Sequence, residues 1–332
     1  MKTLKFLKLN KFMLGVMIFT IPLIGFSQKQ NEKFISPISG KEVILNQGQS
    51  KKLENIQGNE LHKSVQYVKI GNLSKIANSN KGAIPVKIPG VNKSFVARPT
   101  DVEYRSDNDY IWKGEFIKAE GSLTIICKDG EIFGHITLDD RVFEIHAFEK
   151  GKNILIEFDT EQLSKHTCAY LDTGKIETKT TEKAVSVKTT RSNVRVLVLY
   201  TDAANSAVAN INNTASLAVT QMNDALRNSA VNSNLYMSLA GVERIAFTEN
   251  RDDVEDDVEN LSTNITAQNL RNTHQADLVV LLTDGNYQLY YYGQWYDVYG
   301  IVDNIGPSNT EAYAIVEADQ ATPKYVFAHE VG

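Results

Sequence analysis

Two adjacent residues near the C-terminus, His329 and Glu330, have the types and order that metal-assisted hydrolysis uses. In the arrangement H-E-x-x-H, two imidazoles four residues apart lie on successive turns of one helix face and bind zinc, and the Glu between them faces the metal-bound water. His329 and Glu330 supply the first half of that arrangement; the second imidazole would fall at position 333, one place beyond Gly332. The apolar approach Tyr325-Val326-Phe327-Ala328 can seat such a helix against a sheet, and Val331-Gly332 ends in the small residue common before the second ligand. A His-Glu pair also arises by chance in chains of this size, so a surface helix start without a metal is the competing reading.

The elements that would position the pair alternate in type. Val194 to Tyr200 is a mostly apolar strand, and Thr201 or Asp202 can cap the helix that follows. Val208, Ile211, Ala215, Val219, Met222 and Leu226 recur at helical spacing and define one buried stripe. Leu235 to Val242 reads as a second strand. A second helix runs from about Asp252, with Val254, Val258, Leu261, Ile265 and Leu270 on one side. Asp252, Asp253 and Glu255 suit the positive end of its dipole and lack the spacing of a calcium loop. Asp277 to Leu282 is a third strand, apolar enough to be buried on both faces, and Tyr299 to Val302 and Ala312 to Val316 are further extended pieces. The alternation predicts an α+β or α/β unit over 193–332, a mixed, mostly parallel twisted sheet with packed helices.

Upstream the pattern changes. Residues 1–27 read as a secretory signal: Lys2, Lys5, Lys8 and Lys11 precede an apolar run from Phe12 to Phe26, too short at about 15 residues, and interrupted by Pro22, to span a bilayer. The prediction is therefore a secreted, extracellular protein without a stable membrane anchor. Residues 28–171 form a β-rich unit whose strands are clearest as a meander between Leu123 and Phe158, with turns at Asp129-Gly130, Asp139-Asp140 and Lys150-Gly151-Lys152; the stretch from Gln28 to Asn80 carries no clear assignment. Residues 172–192, rich in Thr and Lys, read as an exposed linker suited to proteolytic nicking.

The chain of 332 residues, 42% hydrophobic, can bury a sizeable core. Its net charge of −5 divides unevenly. Ser192 to Gly332 has 6 Lys and Arg against 18 Asp and Glu, a net of −12, whereas Gln28 to Arg191 has 25 against 22, a net of +3. The acidic half lacks the basic stripe that a nucleic-acid partner requires. Two cysteines, Cys127 and Cys168, exclude a disulfide scaffold and leave one bridge or two free thiols open.

From Asn193 onward the chain resembles the metzincin zinc endopeptidases, in particular the reprolysin-like branch. The resemblance rests on Val196-Leu197-Val198-Leu199-Tyr200-Thr201, the order of elements, the strand Asp277 to Leu282, and Phe327-Ala328-His329-Glu330-Val331-Gly332. It implies the fold of a metzincin N-terminal subdomain, a Zn2+ cofactor with His329 as first ligand, and Glu330 as general base. The remaining ligands of the pattern H-E-x-x-H-x-x-G-x-x-H and its Met-turn are not in the 332 residues, so this stretch alone is expected to hold zinc weakly and not to hydrolyse peptides. The resemblance also implies a protein or peptide substrate held along an edge strand, for which Gly300, Ile301 and Val302 are the candidates, an ordinary surface strand being the rival. The β-rich unit then fits a propeptide that binds its own catalytic unit, and Cys168 becomes either an inhibitory thiolate on the zinc or, the favoured reading, a structural thiol, buried or bridged to Cys127. Tyr287, Tyr290, Tyr291, Tyr292, Trp295, Tyr296 and Tyr299 crowd a stretch that reads as a loop packed by its own aromatics, or as a rim that stacks on substrate.

The whole predicts a zymogen of a secreted zinc endopeptidase. A gluzincin, with a distant Glu as third ligand, keeps the metal and changes the clan. A secreted non-catalytic binding or adhesion protein, using the meander and the aromatic stretch, is the reading from a different class.

Overall fold

The computed structural model describes residues 34–39, 43–79, 82–149, 152–165, 191–231, 234–291, 293–303 and 312–332. The signal segment, Cys168 and linker residues 172–190 lie outside them. Residues Lys33 to Gly332 form one compact unit built on two large sheets.

The first sheet is assembled from β1 (Ile35–Pro37), β2 (His62–Ile70), β3 (Ile84–Val86), β4 (Phe95–Ser106), β5 (Asp109–Phe116), β6 (Ser122–Lys128), β7 (Glu131–Leu138), β8 (Arg141–Glu149) and β9 (Lys152–Phe158). Helices α1 (Gln47–Gly58), α2 (Ser74–Ser79) and α3 (Thr160–Lys165) are set between and after these strands. Its order is β1-β2-β9-β8-β7-β6-β5-β4-β3, antiparallel throughout. The expected meander is its centre. At Asp129 and Gly130 φ is +51° and +81°, the two positive values that a two-residue hairpin turn needs. Trp112, Phe143, Ile125 and Ile145 lie fully buried in its core. The stretch from Gln28 to Asn80 that carried no assignment contains α1, and the signal was there to read. Asn46 accepts from the Gln49 amide while the Gln49 side chain accepts from the Asn46 amide, a reciprocal capping box.

The second sheet contains β10 (Ser192–Tyr200), β11 (Leu235–Arg244), β12 (Leu278–Thr283), β15 (Gly300–Val302) and β16 (Tyr313–Glu317) in the order β11-β10-β12-β16-β15. The first four run parallel, and β15 is an antiparallel edge. Alternate residues of each strand enter opposite cores. Val196, Val198, Val280 and Leu282 pack with helices α4 (Asp202–Ala207), α5 (Ile211–Asn228) and α8 (Val326–Val331). Leu197, Leu199, Val279 and Leu281 pack with α6 (Val254–Thr263) and α7 (Ile265–His274). This is the mixed, mostly parallel sheet with packed helices that the sequence predicts, here joined to a larger antiparallel sheet. Among the described residues no helix is long and apolar enough to cross a membrane.

The structure corrects the sequence reading in four places. The first helix is two: Asn210, extended at φ −153° and ψ 110°, accepts from the amides of Asn212 and Asn213, so the chain restarts a helix after α4 while the apolar stripe continues across the break. Asn264 divides the second helix in the same way, and Ile265, expected on the buried side, is 67% exposed. The aromatic stretch is a hairpin of β13 (Tyr287–Tyr291) and β14 (Gln294–Val298), not a loop. The linker ends earlier than expected, since Ser192 already pairs with Leu235 in β10.

The two sheets meet across α5 and the turn before α8. Ile126 and Phe133 of the first sheet pack on Leu217. Lys113 forms an ion pair with Asp224, and Arg227 with Asp101 at 3.1 Å. The Asn59 amide donates to Asp319 at 2.8 Å, and the His135 ring meets Tyr325 edge-on at 5.7 Å between centroids.

Candidate active site

Helix α8 begins abruptly. Tyr325 adopts a left-handed backbone, φ 59° and ψ 25°, with no side-chain cap, and its carbonyl accepts the His329 amide at 2.9 Å. The helix is held by Val326 and Phe327, both with no exposed surface. Side chains three and four positions apart share a helix face, so Glu330 turns inward with Val326 and Phe327 and is half-buried. His329 points to solvent and is exposed.

The inward face meets the edge strand. A Cβ on Gly300 would lie 2.6 Å from Glu330 Cγ and 2.9 Å from Val326 Cγ1, so only glycine lets β15 approach α8 this closely. Glu330 and Gly300 are 30 positions apart in sequence, and the fold makes them neighbours. Burial pushes the Glu330 carboxyl up to about 7. Gly300, Ile301 and Val302 pair with Val316, Ile315 and Ala314 on one side, and no strand of the described sheet lies beyond them on the other. The metal centre is not completed by the described residues. Among them no group of three or more His, Cys, Asp or Glu is placed to hold a metal, and His329 is a single imidazole.

A second polar cluster, missed in the sequence, lies at the carboxyl ends of β10, β12 and β16. The Thr201 hydroxyl donates to Glu249 at 2.6 Å, and the Asp284 amide donates to the same carboxylate. Glu317 accepts from the Tyr287 amide at 3.3 Å. Burial first, then the charge of Asp319, lifts Glu317 to about 8; burial, then Asp319 and Glu249, lifts Asp284 to about 6. Asp319 is itself raised by burial, although the Asn59 amide works against the shift. No local pattern marks this group, because parallel strand pairing brings its members together.

The aromatic stretch divides between roles. Tyr287 and Tyr299 are core residues, and Trp295 is 59% exposed on the hairpin. Cys127 is buried and unbridged, and Cys168, the candidate inhibitory thiol, falls outside the described residues.

The chain is similar to proteins named peptidyl-Asp metalloendopeptidase. It is 27% identical over 263 residues to one from Stenotrophomonas maltophilia strain R551-3, covering 70% of this chain and 58% of that protein. It is 24% identical over 263 residues to another from Xanthomonas campestris pv. campestris, covering 72% and 60%. The chain thus spans somewhat under two thirds of these relatives. A solved structure of metalloproteinase-II from Bacteroides fragilis aligns at 14% identity and a TM-score of 0.43, covering 78% of this chain and 82% of that one. No protein-family model matches the chain.

Proposed function

We propose that this chain belongs to the precursor of a secreted metalloendopeptidase that uses zinc and hydrolyses protein or peptide substrates at aspartyl bonds. The observation that carries the reading is the contact between Glu330 and Gly300, which sets a carboxylate with its pKa lifted to about 7 against the open edge of a sheet. A group near neutrality can accept a proton from attacking water and return it to a leaving amine. The strand Gly300-Ile301-Val302 can align an extended peptide beside that carboxylate by main-chain hydrogen bonds. His329 suits a first metal ligand by chemistry and exposure. The aspartyl preference comes from the names of the relatives.

In this reading the β-rich unit is the propeptide, docked through Leu217, Asp224, Asp319 and Tyr325. Cleavage in the linker 172–192 releases it. The test is chelator-reversible hydrolysis of aspartyl peptides by the native gene product, including whatever follows Gly332, after removal of the β-rich unit. Glu330→Gln is expected to lower kcat by about 10²- to 10⁴-fold. A processed product that hydrolyses no peptide, or one indifferent to Glu330→Gln, overturns the proposal.

The non-catalytic reading has one observation in its favour, the exposed Trp295. It requires Trp295→Ala to abolish binding to a protein or glycan ligand in a product that shows no hydrolysis.

A further inference from the structure

We propose that Gln221, on α5, is a positioning residue of the candidate active site: its side-chain amide fixes the turn from which α8 starts and so sets where His329 and Glu330 lie. This role rests on the metalloendopeptidase reading above and deepens it with a residue that acts through the backbone rather than on substrate.

Helix α8 cannot place itself. It has six residues, too few to be stable alone, and no side-chain cap. Val326 and Phe327 bury its inner face, but apolar contact is non-directional and leaves a helix free to slide or turn on the sheet. A directional tie comes from α5. Gln221 is 4% exposed, and its Nε2 donates to the Thr322 carbonyl at 3.1 Å across 101 positions of sequence. The same oxygen accepts the Tyr325 amide at 3.3 Å, and the Tyr325 carbonyl accepts the His329 amide at 2.9 Å. Hydrogen bonds therefore run from Gln221 to the backbone of His329 through two carbonyls. Between them lies Tyr325, a non-glycine residue at φ 59°, a conformation that persists only where its surroundings over-determine it. Gln221 supplies part of that constraint. The next residue, Met222, meets the other end of the helix: a Cβ on Gly332 would lie 3.2 Å from its Cε. Consecutive residues of α5 thus touch α8 at its start and at its finish.

Packing alone does not account for a glutamine here. The position is buried, beside the apolar stripe of α5. Its Oε1 atom has no hydrogen-bond partner, which costs free energy that a methionine or leucine of similar size would avoid. What the amide supplies and an apolar side chain lacks is direction. Asn59 reaches the same turn through Asp319, but Asn59 belongs to the β-rich unit and leaves with it on processing. Gln221 stays.

The test uses the processed native gene product, including whatever follows Gly332, with sites counted by titration with a tight-binding hydroxamate so that unfolded molecules do not enter kcat. Gln221→Met keeps the volume and removes the donor. Its kcat is expected to fall by about 10- to 100-fold, as a small misplacement of reacting groups implies, with KM within about twofold of wild type. In Gln221→Glu the donor exists only while the introduced carboxyl is protonated. Its kcat relative to wild type should therefore rise by about tenfold from about pH 8.5 to about pH 5.5, whereas the same ratio for Gln221→Met stays flat. The His329 amide should exchange faster in Gln221→Met while amides of β10 and β12 keep their wild-type protection, a pattern that global destabilisation does not give. A Gln221→Met kcat within about twofold of wild type, or a Gln221→Glu ratio equal at the two pH values, overturns the role of Gln221 and leaves the metalloendopeptidase reading standing. If Gln221→Met does not fold, the Gln221→Glu ratio decides. A wild type that hydrolyses nothing overturns the proposed function, and exchange at His329 then decides by itself whether Gln221 positions α8.

Discussion

Two buried glutamates, one in each sheet, have opposite electrostatic fates. Glu144, on β8, lies directly across from His135 on β7 and two residues before His146 on the same face. Burial works to raise its pKa, but hydrogen bonds from the two imidazoles, at 3.4 and 2.8 Å, outweigh it and hold the carboxyl well below its usual value of 4.5. Glu317, at the end of β16, is raised by burial first and by the neighbouring acids Asp319 and Asp284 after it, to about 8. Burial pushes both carboxyls up, and the groups that the fold places around each decide whether that shift is reversed, as at Glu144, or stands, as at Glu317.

The contrast fixes the sign of each pH dependence. A depressed pKa contributes stability above the usual carboxylate value and loses it as pH falls. Glu144 should therefore stabilise the first sheet from about pH 4.5 upward and cease to do so in acid. A raised pKa contributes stability below the usual value and loses it as pH rises to the folded-state value. Glu317 should therefore weaken the second sheet progressively between about pH 4.5 and 8.

The largest effect that would break this comparison is at Glu144. Glu144→Ala removes the partner of two buried imidazoles and is expected to cost about 3–5 kcal/mol at pH 7 by urea denaturation. A cost below 1 kcal/mol would show that the His-Glu-His group contributes nothing particular. Glu317→Gln should be close to neutral at pH 5 yet stabilise at pH 9, by on the order of 2 kcal/mol, because the neutral amide removes the charge that high pH forces into the cluster. The same denaturation curves, recorded at both values, sharpen the contrast, and equal effects at pH 5 and 9 would refute it. Asn59→Ala takes the hydrogen bond from Asp319 and should cost about 1 kcal/mol, seen as faster proteolytic release of the β-rich unit. Ile265→Ala should change stability by less than about 0.5 kcal/mol, since the side chain is exposed and caps nothing.

Much of the architecture was legible because it is local. Alternation between Leu123 and Phe158 shows the central strands, since residues two apart share a sheet face. The stripe from Val208 to Leu226 shows one buried face, although it hides the restart at Asn210, because apolar spacing can persist across a helix break that a cap imposes. The hairpin of Tyr287 to Val298 was hidden for a different reason. Its aromatics signal burial without saying whether a strand or a loop provides it.

The His-Glu pair, its expected chemistry and the uneven charge of the two halves were determined by the order of residues alone. Tertiary structure decided which residue faces what. Burial of Val326 and Phe327 turns Glu330 towards Gly300 and leaves His329 in solvent, and parallel pairing gathers Glu249, Asp284, Glu317 and Asp319. Sequence spacing reports which side chains share a face of one helix or strand, whereas these contacts join elements tens of residues apart, and only closure of the sheets brings them within reach.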